Sequence, residues 1–134
     1  MSFLADTSAL VRIIRGQVGV DWQDAVDRGL VAICEPVICE AMTIADSRSY
    51  GQVELKLRSS YTWAPTPEDA WNLITSIRAA LAAQSVHHGI SVADYLVIAT
   101  AIKSKLVLLH EDGDFETVAR FVPQLQQQRI SEVT

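Results

Sequence analysis

Cysteine is scarce: Cys34 and Cys39 are the only two in 134 residues. Two cannot build a disulfide scaffold, and no second CxxC or nearby histidine cluster makes a zinc site. The simplest expectation is two buried thiols in a reducing cytoplasm, since the opening SFLADTSAL carries no basic n-region or long apolar stretch. No apolar run approaches the ~20 residues of a membrane-spanning helix. Repeats, low-complexity tracts and linker-like stretches are absent too, so a single domain spanning residues 1–134 is expected. Positive charge is also in short supply. Eleven Lys and Arg face sixteen Asp and Glu, a net charge of −5, which argues against nucleic-acid binding through a broadly basic surface. A local acidic site that holds a cation, or a basic partner, is compatible with this balance.

The chain does have apolar material, 49% of its residues, enough to bury a core without staples. SFLAD reads as a short buried strand, Ser8 to Arg15 as a helix capped by Thr7 or Ser8, and Asp21 to Arg28 as a second helix ended by Gly29. LVAICE is a parallel-type strand. Pro36 opens a helix expected to reach about Arg48, and another piece runs from about Gln52 to Ser59. TWAPTP is a break with room for a short strand. Thr66, Pro67 and Asp69 have capping-box spacing for a helix running to about His87, stopped by Gly89. Ser91 caps VADYLVIATAIK, KLVLLH is a clean strand, EDGD a turn, FETVARFV a helix, and QQQRISEV an edge strand. Alternating strands and helices indicate an α/β fold on a mostly parallel sheet.

Most acids sit in polar windows or first helical turns, where solvation or the helix dipole accounts for them. Four do not. Asp6 and Asp112 each follow an apolar strand at its carboxyl end, where ligands bind in open α/β sheets. Asp114 is a further candidate after the second strand, and a natural cap for the last helix; Glu111 is expected to face solvent. Glu40 lies in PVICEAMTIA, with Val37, Ala41 and Ile44 as its helical neighbours, so its carboxylate emerges among apolar residues. Asp94 is the one acid of VADYLVIATAI, and its same-face neighbours are Ile98, Ala101 and Ile102. Ser91-x-x-Asp94 also has capping-box spacing. Converging carboxylates repel and raise one another's pKa unless a cation joins them. An all-carboxylate set selects hard ions, Mg²⁺ or Mn²⁺, and such a site suits phosphoryl chemistry. No serine or cysteine nucleophile with an adjacent base is apparent. His87, His88 and His110 are not spaced as ligands, and the first two are expected at an exposed helix end.

DTSAL at positions 6–10, Glu40 in the helix after strand two, SVADYLVIATA with Asp94, and LLHEDGDF with Asp112 and Asp114 together resemble the PIN domain, most closely the VapC toxins of type II toxin–antitoxin systems. The likeness spans nearly the whole chain in order and spacing. It implies a PIN-like three-layer α/β/α sandwich and a Mg²⁺-dependent endoribonuclease, with Mn²⁺ able to substitute, acting on single-stranded or looped RNA. It places Asp6, Glu40, Asp94 and Asp112 in the acidic centre, Asp6 and Asp94 as direct metal ligands, with Glu40 and Asp112 bound directly or through water, and Ser8 supporting Asp6. Relatives often carry Thr or Asn where His110 stands, so no role for His110 follows. The implied partners are a VapB-type antitoxin, whose tail sets a basic residue in the acidic pocket, and a second copy of the chain as a homodimer. Arg12, Arg15, Arg48, Lys56 and Arg58 are the candidates for holding RNA. Two rivals remain: a phosphohydrolase or phospho-acceptor with an acidic pocket, which would want a second aspartate at position 8 or paired acids after strand one, and a catalytically silent PIN-like interaction module.

Overall fold

FLA, VAI and VLLH are apolar at every position but the last of VLLH, and the strands they form are buried at every position: β1 (Phe3–Ala5), β2 (Val31–Ile33) and β4 (Val107–His110). Continuous burial without alternation means that both faces of the sheet are covered, the mark of a parallel sheet between helical layers. The computed structural model describes residues 1–132. Its sheet is all-parallel, with order β3-β2-β1-β4-β5, where β3 is Thr62–Trp63 and β5 is Gln127–Arg129. Leu4 pairs with Ala32 on one side and Leu108 on the other, so β1 is central. The order reverses between β1 and β4, and their adjacent carboxyl ends open a crevice there. Asp6 donates its N–H to the Leu109 carbonyl at 3.0 Å at this point.

Among the described residues seven helices fill the connections: α1 (Thr7–Ile14), α2 (Val20–Asp27), α3 (Glu35–Met42), α4 (Tyr50–Ser60), α5 (Ala70–Ala83), α6 (Val92–Ser104) and α7 (Gly113–Phe121). Leu4, Leu10, Ile33, Val37, Leu81, Ile98, Leu108 and Phe115 lie at the bottom of the core. α6 is central, with Val97, Ile98, Ala99, Thr100 and Ala101 all buried. Its N-cap is Ser91, whose Oγ accepts the Asp94 N–H at 3.0 Å. Ser91→Ala is expected to cost about 1 kcal/mol of stability in urea unfolding, the usual worth of such a cap; an unchanged midpoint would show that the cap contributes nothing.

Several expected boundaries shift, each for a local reason. α1 starts at Thr7 because Asp6 itself is the N-cap, not Thr7 or Ser8. α3 stops at Met42, well short of Arg48. Thr43 Oγ1 turns back on the Glu40 carbonyl at 2.6 Å and the Asp46 carboxylate accepts the Arg48 N–H at 3.1 Å, so side chains compete with the helical ladder. The capping box on Thr66 does not form. α5 begins at Ala70 after Asp69, whose carboxylate is instead taken by Lys103 Nζ at 2.8 Å. α5 ends at Ala83, before His87, where Ser85 adopts a φ of 56°. α7 is capped by Asp112 rather than Asp114.

Candidate active site

β1 ends at Ala5, and the next residue turns out of the sheet into α1. This leaves the Asp6 side chain buried, with a relative exposure of 6%. Its Oδ1 accepts the Ala9 N–H at 2.9 Å and the Ser8 hydroxyl at 2.7 Å. Burial pushes the Asp6 carboxyl up to about 6, because desolvation outweighs both bonds; the charge of Asp94 pushes the same way. Asp6 is therefore both helix cap and strained carboxylate. Ser8 also accepts the Glu111 N–H through its Oγ at 2.9 Å, tying the end of β1 to the turn after β4.

Asp94 occupies the first turn of α6 and is half-buried. Its carboxyl is raised, chiefly by burial, against hydrogen bonds from Ser91; Glu40 and Asp112 raise it further by like-charge repulsion. Asp6 thus feels Asp94, and Asp94 feels Glu40 and Asp112: four carboxylates from four separate stretches of chain share one neighbourhood. Among the described residues none of the four pairs with a Lys or Arg side chain.

Glu40 joins this neighbourhood, though not for the reason that its sequence context suggested. It is exposed rather than buried, since α3 ends at Met42 and Ile44, 74% exposed, is not a helical neighbour. What holds its carboxylate is Thr7, whose Oγ1 donates to Oε1 at 2.6 Å. Asp112 lies at the carboxyl end of β4 and accepts the Asp114 N–H through Oδ1 at 2.9 Å, while Asp114 itself is exposed. Glu111 does not face solvent freely. Ser131 Oγ donates to it at 2.8 Å, Arg129 approaches at 3.4 Å, and its side chain is 13% exposed. His110, for which sequence offered no role, is fully buried.

The donor set is carboxylate oxygen only, which suits a hard divalent cation. Among the described residues no three His, Cys, Asp or Glu side chains already stand close enough to hold an ion. The absence of a ready-made cage fits Mg²⁺ better than Ca²⁺, because Mg²⁺ keeps several waters and takes only one or two carboxylates directly.

Of the basic residues proposed for RNA, Arg58 is already engaged. It donates to Glu54 at 2.9 Å and Glu35 at 3.1 Å and lies 5.1 Å from the Trp63 ring centre. Arg12, Arg15, Arg48 and Lys56 make no ion pair among the described residues. The thiols divide: Cys34 is buried, with its pKa pushed up to about 11 by desolvation, whereas Cys39 is exposed and not buried as expected. His87 and His88 are exposed, as expected, just beyond α5.

The chain resembles known proteins along nearly its whole length. Residues 3–121 match the PIN domain. Ribonuclease VapC6 of Mycobacterium tuberculosis is 31% identical over 103 residues, covering 75% of this chain and 80% of the relative. Ribonuclease VapC2 of the same organism is 31% identical over 127 residues, covering 91% and 88%. Among solved structures, VapBC-1 from nontypeable Haemophilus influenzae superposes with a TM-score of 0.77 at 13% identity, covering 98% of this chain and 100% of that one, a likeness of fold. With residues 3–121 inside the match and relatives 31% identical along most of their length, the chain belongs to the PIN-domain family, among the VapC proteins.

Proposed function

We propose that this chain is a metal-dependent endoribonuclease, the toxin of a toxin–antitoxin pair. The observation that carries this reading is the mutual electrostatic influence of Asp6, Glu40, Asp94 and Asp112, none of which pairs with a Lys or Arg side chain among the described residues. Carboxylates raised by burial and by one another, as Asp6 and Asp94 are, are candidates for function. Asp6 and Asp94 would hold the ion directly, and Glu40 and Asp112 would do so directly or through water. Bound Mg²⁺, or Mn²⁺ in its place, would supply Lewis acidity at a phosphodiester oxygen. Ser8 keeps Asp6 oriented, and Thr7 does the same for Glu40. RNA would be steered by Arg12, Arg15, Arg48 and Lys56, with a lesser part for Arg58. A recessed carboxylate such as Asp6 favours flexible single strands over a stiff duplex.

A cognate VapB-type antitoxin is the proposed partner. An unneutralised acidic pocket is the natural seat for a basic side chain from its tail. The relatives' complexes with VapB, a homodimer of this chain, and a reducing cytoplasm are consistent with one another, and among the described residues no helix is long and apolar enough to cross a membrane.

The test is RNA cleavage by the purified chain. Cleavage is expected with Mg²⁺, to vanish with a chelator and to return with Mg²⁺ or Mn²⁺; induction in cells should create new RNA ends. Cleavage that survives the chelator would reject the metal, and an inert chain that causes no new ends would reject the reading in favour of a silent interaction module.

A further inference from the structure

We infer that His110 is a positioning residue for Asp112, acting through the Nδ1 lone pair of a single fixed tautomer. His110 ends β4, is wholly buried, and has both ring nitrogens engaged. Nδ1 faces the Asp112 backbone N–H at 3.0 Å. An amide nitrogen can only donate, so Nδ1 must accept, and the ring proton must sit on Nε2. Nε2 lies 2.7 Å from Gln127 Oε1, which accepts it. The side-chain amide of Gln127 therefore fixes the tautomer that the Asp112 amide needs.

The local chain needs this acceptor. Asp112 is the N-cap of α7, and its own N–H lies outside the helical ladder. In a capping box that N–H is met by a Glu or Gln at the third helical position. Here the third position is Phe115, which has no acceptor; it packs on the imidazole instead, with ring centres 5.3 Å apart. His110 supplies from the preceding strand what the helix lacks. With its amide held from behind and Oδ1 occupied by the Asp114 N–H, Asp112 has little rotational freedom left. The rest of the turn is braced as well: Ser8 takes the Glu111 N–H, and Ser131 and Arg129 hold the Glu111 carboxylate. Loss of the His110 acceptor would thus loosen one of the four acids while leaving its chemistry intact.

The activity part of this inference rests on the nuclease reading; the hydrogen-bond part does not. His110→Asn places an amide oxygen about where Nδ1 lies, whereas His110→Gln carries its polar atoms further out, toward Gln127, and leaves the Asp112 N–H without an acceptor. In the wild-type chain, ¹⁵N spectra of the imidazole should show Nε2 protonated and Nδ1 bare. The Asp112 amide proton should keep its hydrogen-bonded shift in the Asn variant and lose it in the Gln variant. RNA cleavage should stay within about threefold of wild type in His110→Asn but fall in kcat by about 10–100-fold in His110→Gln, with KM little changed, the usual range when a group that orients a metal ligand is lost. Thermal melts place both variants on a folded footing. A proton found on Nδ1, or equal kcat in the two folded variants, overturns the inference. A wild-type chain that cuts no RNA removes the nuclease reading alone, and the amide and imidazole signals then decide the role of His110.

Discussion

Asp6→Asn is expected to abolish RNA cleavage and Mn²⁺ binding while leaving the protein more stable than wild type at neutral pH. Asparagine keeps what the fold needs at this position: an oxygen to accept the Ala9 N–H and the Ser8 hydroxyl, and asparagine is as good an N-cap as aspartate. What it removes is a charge at 6% exposure, whose pKa burial pushes from its ordinary 3.8 up to about 6. The sign follows directly. The folded chain binds this proton more tightly than the unfolded one, so Asp6 favours folding below its ordinary pKa, and that contribution is lost as pH rises through about 6. A difference of roughly two pH units corresponds to about 3 kcal/mol. Melts in chelator should therefore coincide for wild type and variant near pH 4 and separate by pH 7, with the variant higher. Added Mn²⁺ should stabilise wild type and leave the variant unmoved. The activity loss should exceed the roughly 100-fold typical of removing a residue that merely orients a ligand. A variant that still cleaves near the wild-type rate would take Asp6 out of the centre; one that melts lower at pH 7 would show that the buried charge is not a liability.

Phe115→Ala should be the most damaging of the changes away from the acids. The ring is 1% exposed, anchors α7 to the sheet and packs on His110. Truncating a buried phenylalanine typically costs about 3–5 kcal/mol through lost transfer energy and the void left behind. That is a large share of the 5–15 kcal/mol that an ordinary domain has. For a chain of this size the midpoint of thermal unfolding should fall on the order of 10–20 °C. Cleavage at low temperature should fall as well, since the void lies beneath the turn that carries Asp112. A shift of only a degree or two would mean that α7 is held by Val118 and the Arg129 ion pairs instead.

The parts of this protein legible in its sequence are those written in continuous apolar runs. FLA, VAI and VLLH read as buried strands, and acids within two residues of such a run stand at a sheet end, which made Asp6 and Asp112 candidates. Asp94 was legible because its helix is otherwise apolar. Glu40 was found by an argument that the fold does not support: α3 stops early, and a threonine hydroxyl thirty-three residues away, not an apolar wall, holds its carboxylate. Thr7 carried no signal beyond standing beside Asp6. His110 and Glu111 were opaque for a related reason. Their partners, Gln127, Arg129 and Ser131, sit on or just after an edge strand whose pairing with β4 no local pattern states. Boundaries failed where short polar side chains, Thr43 and Asp46 among them, turned back on the backbone.

The edge strand also carries an order of events. Residues 127–131 are synthesised after every acid of the centre, so the brace they supply is the last part of this turn to be made. Until Gln127 arrives, nothing holds the proton of His110 on Nε2; until Ser131 arrives, the Glu111 carboxylate lacks the hydroxyl that clasps it. A nascent chain, or one cut short by a stop codon before position 127, would hold all four carboxylates with the turn at 110–112 still slack. The brace on the 110–112 turn is thus complete only after the message has been read past that strand.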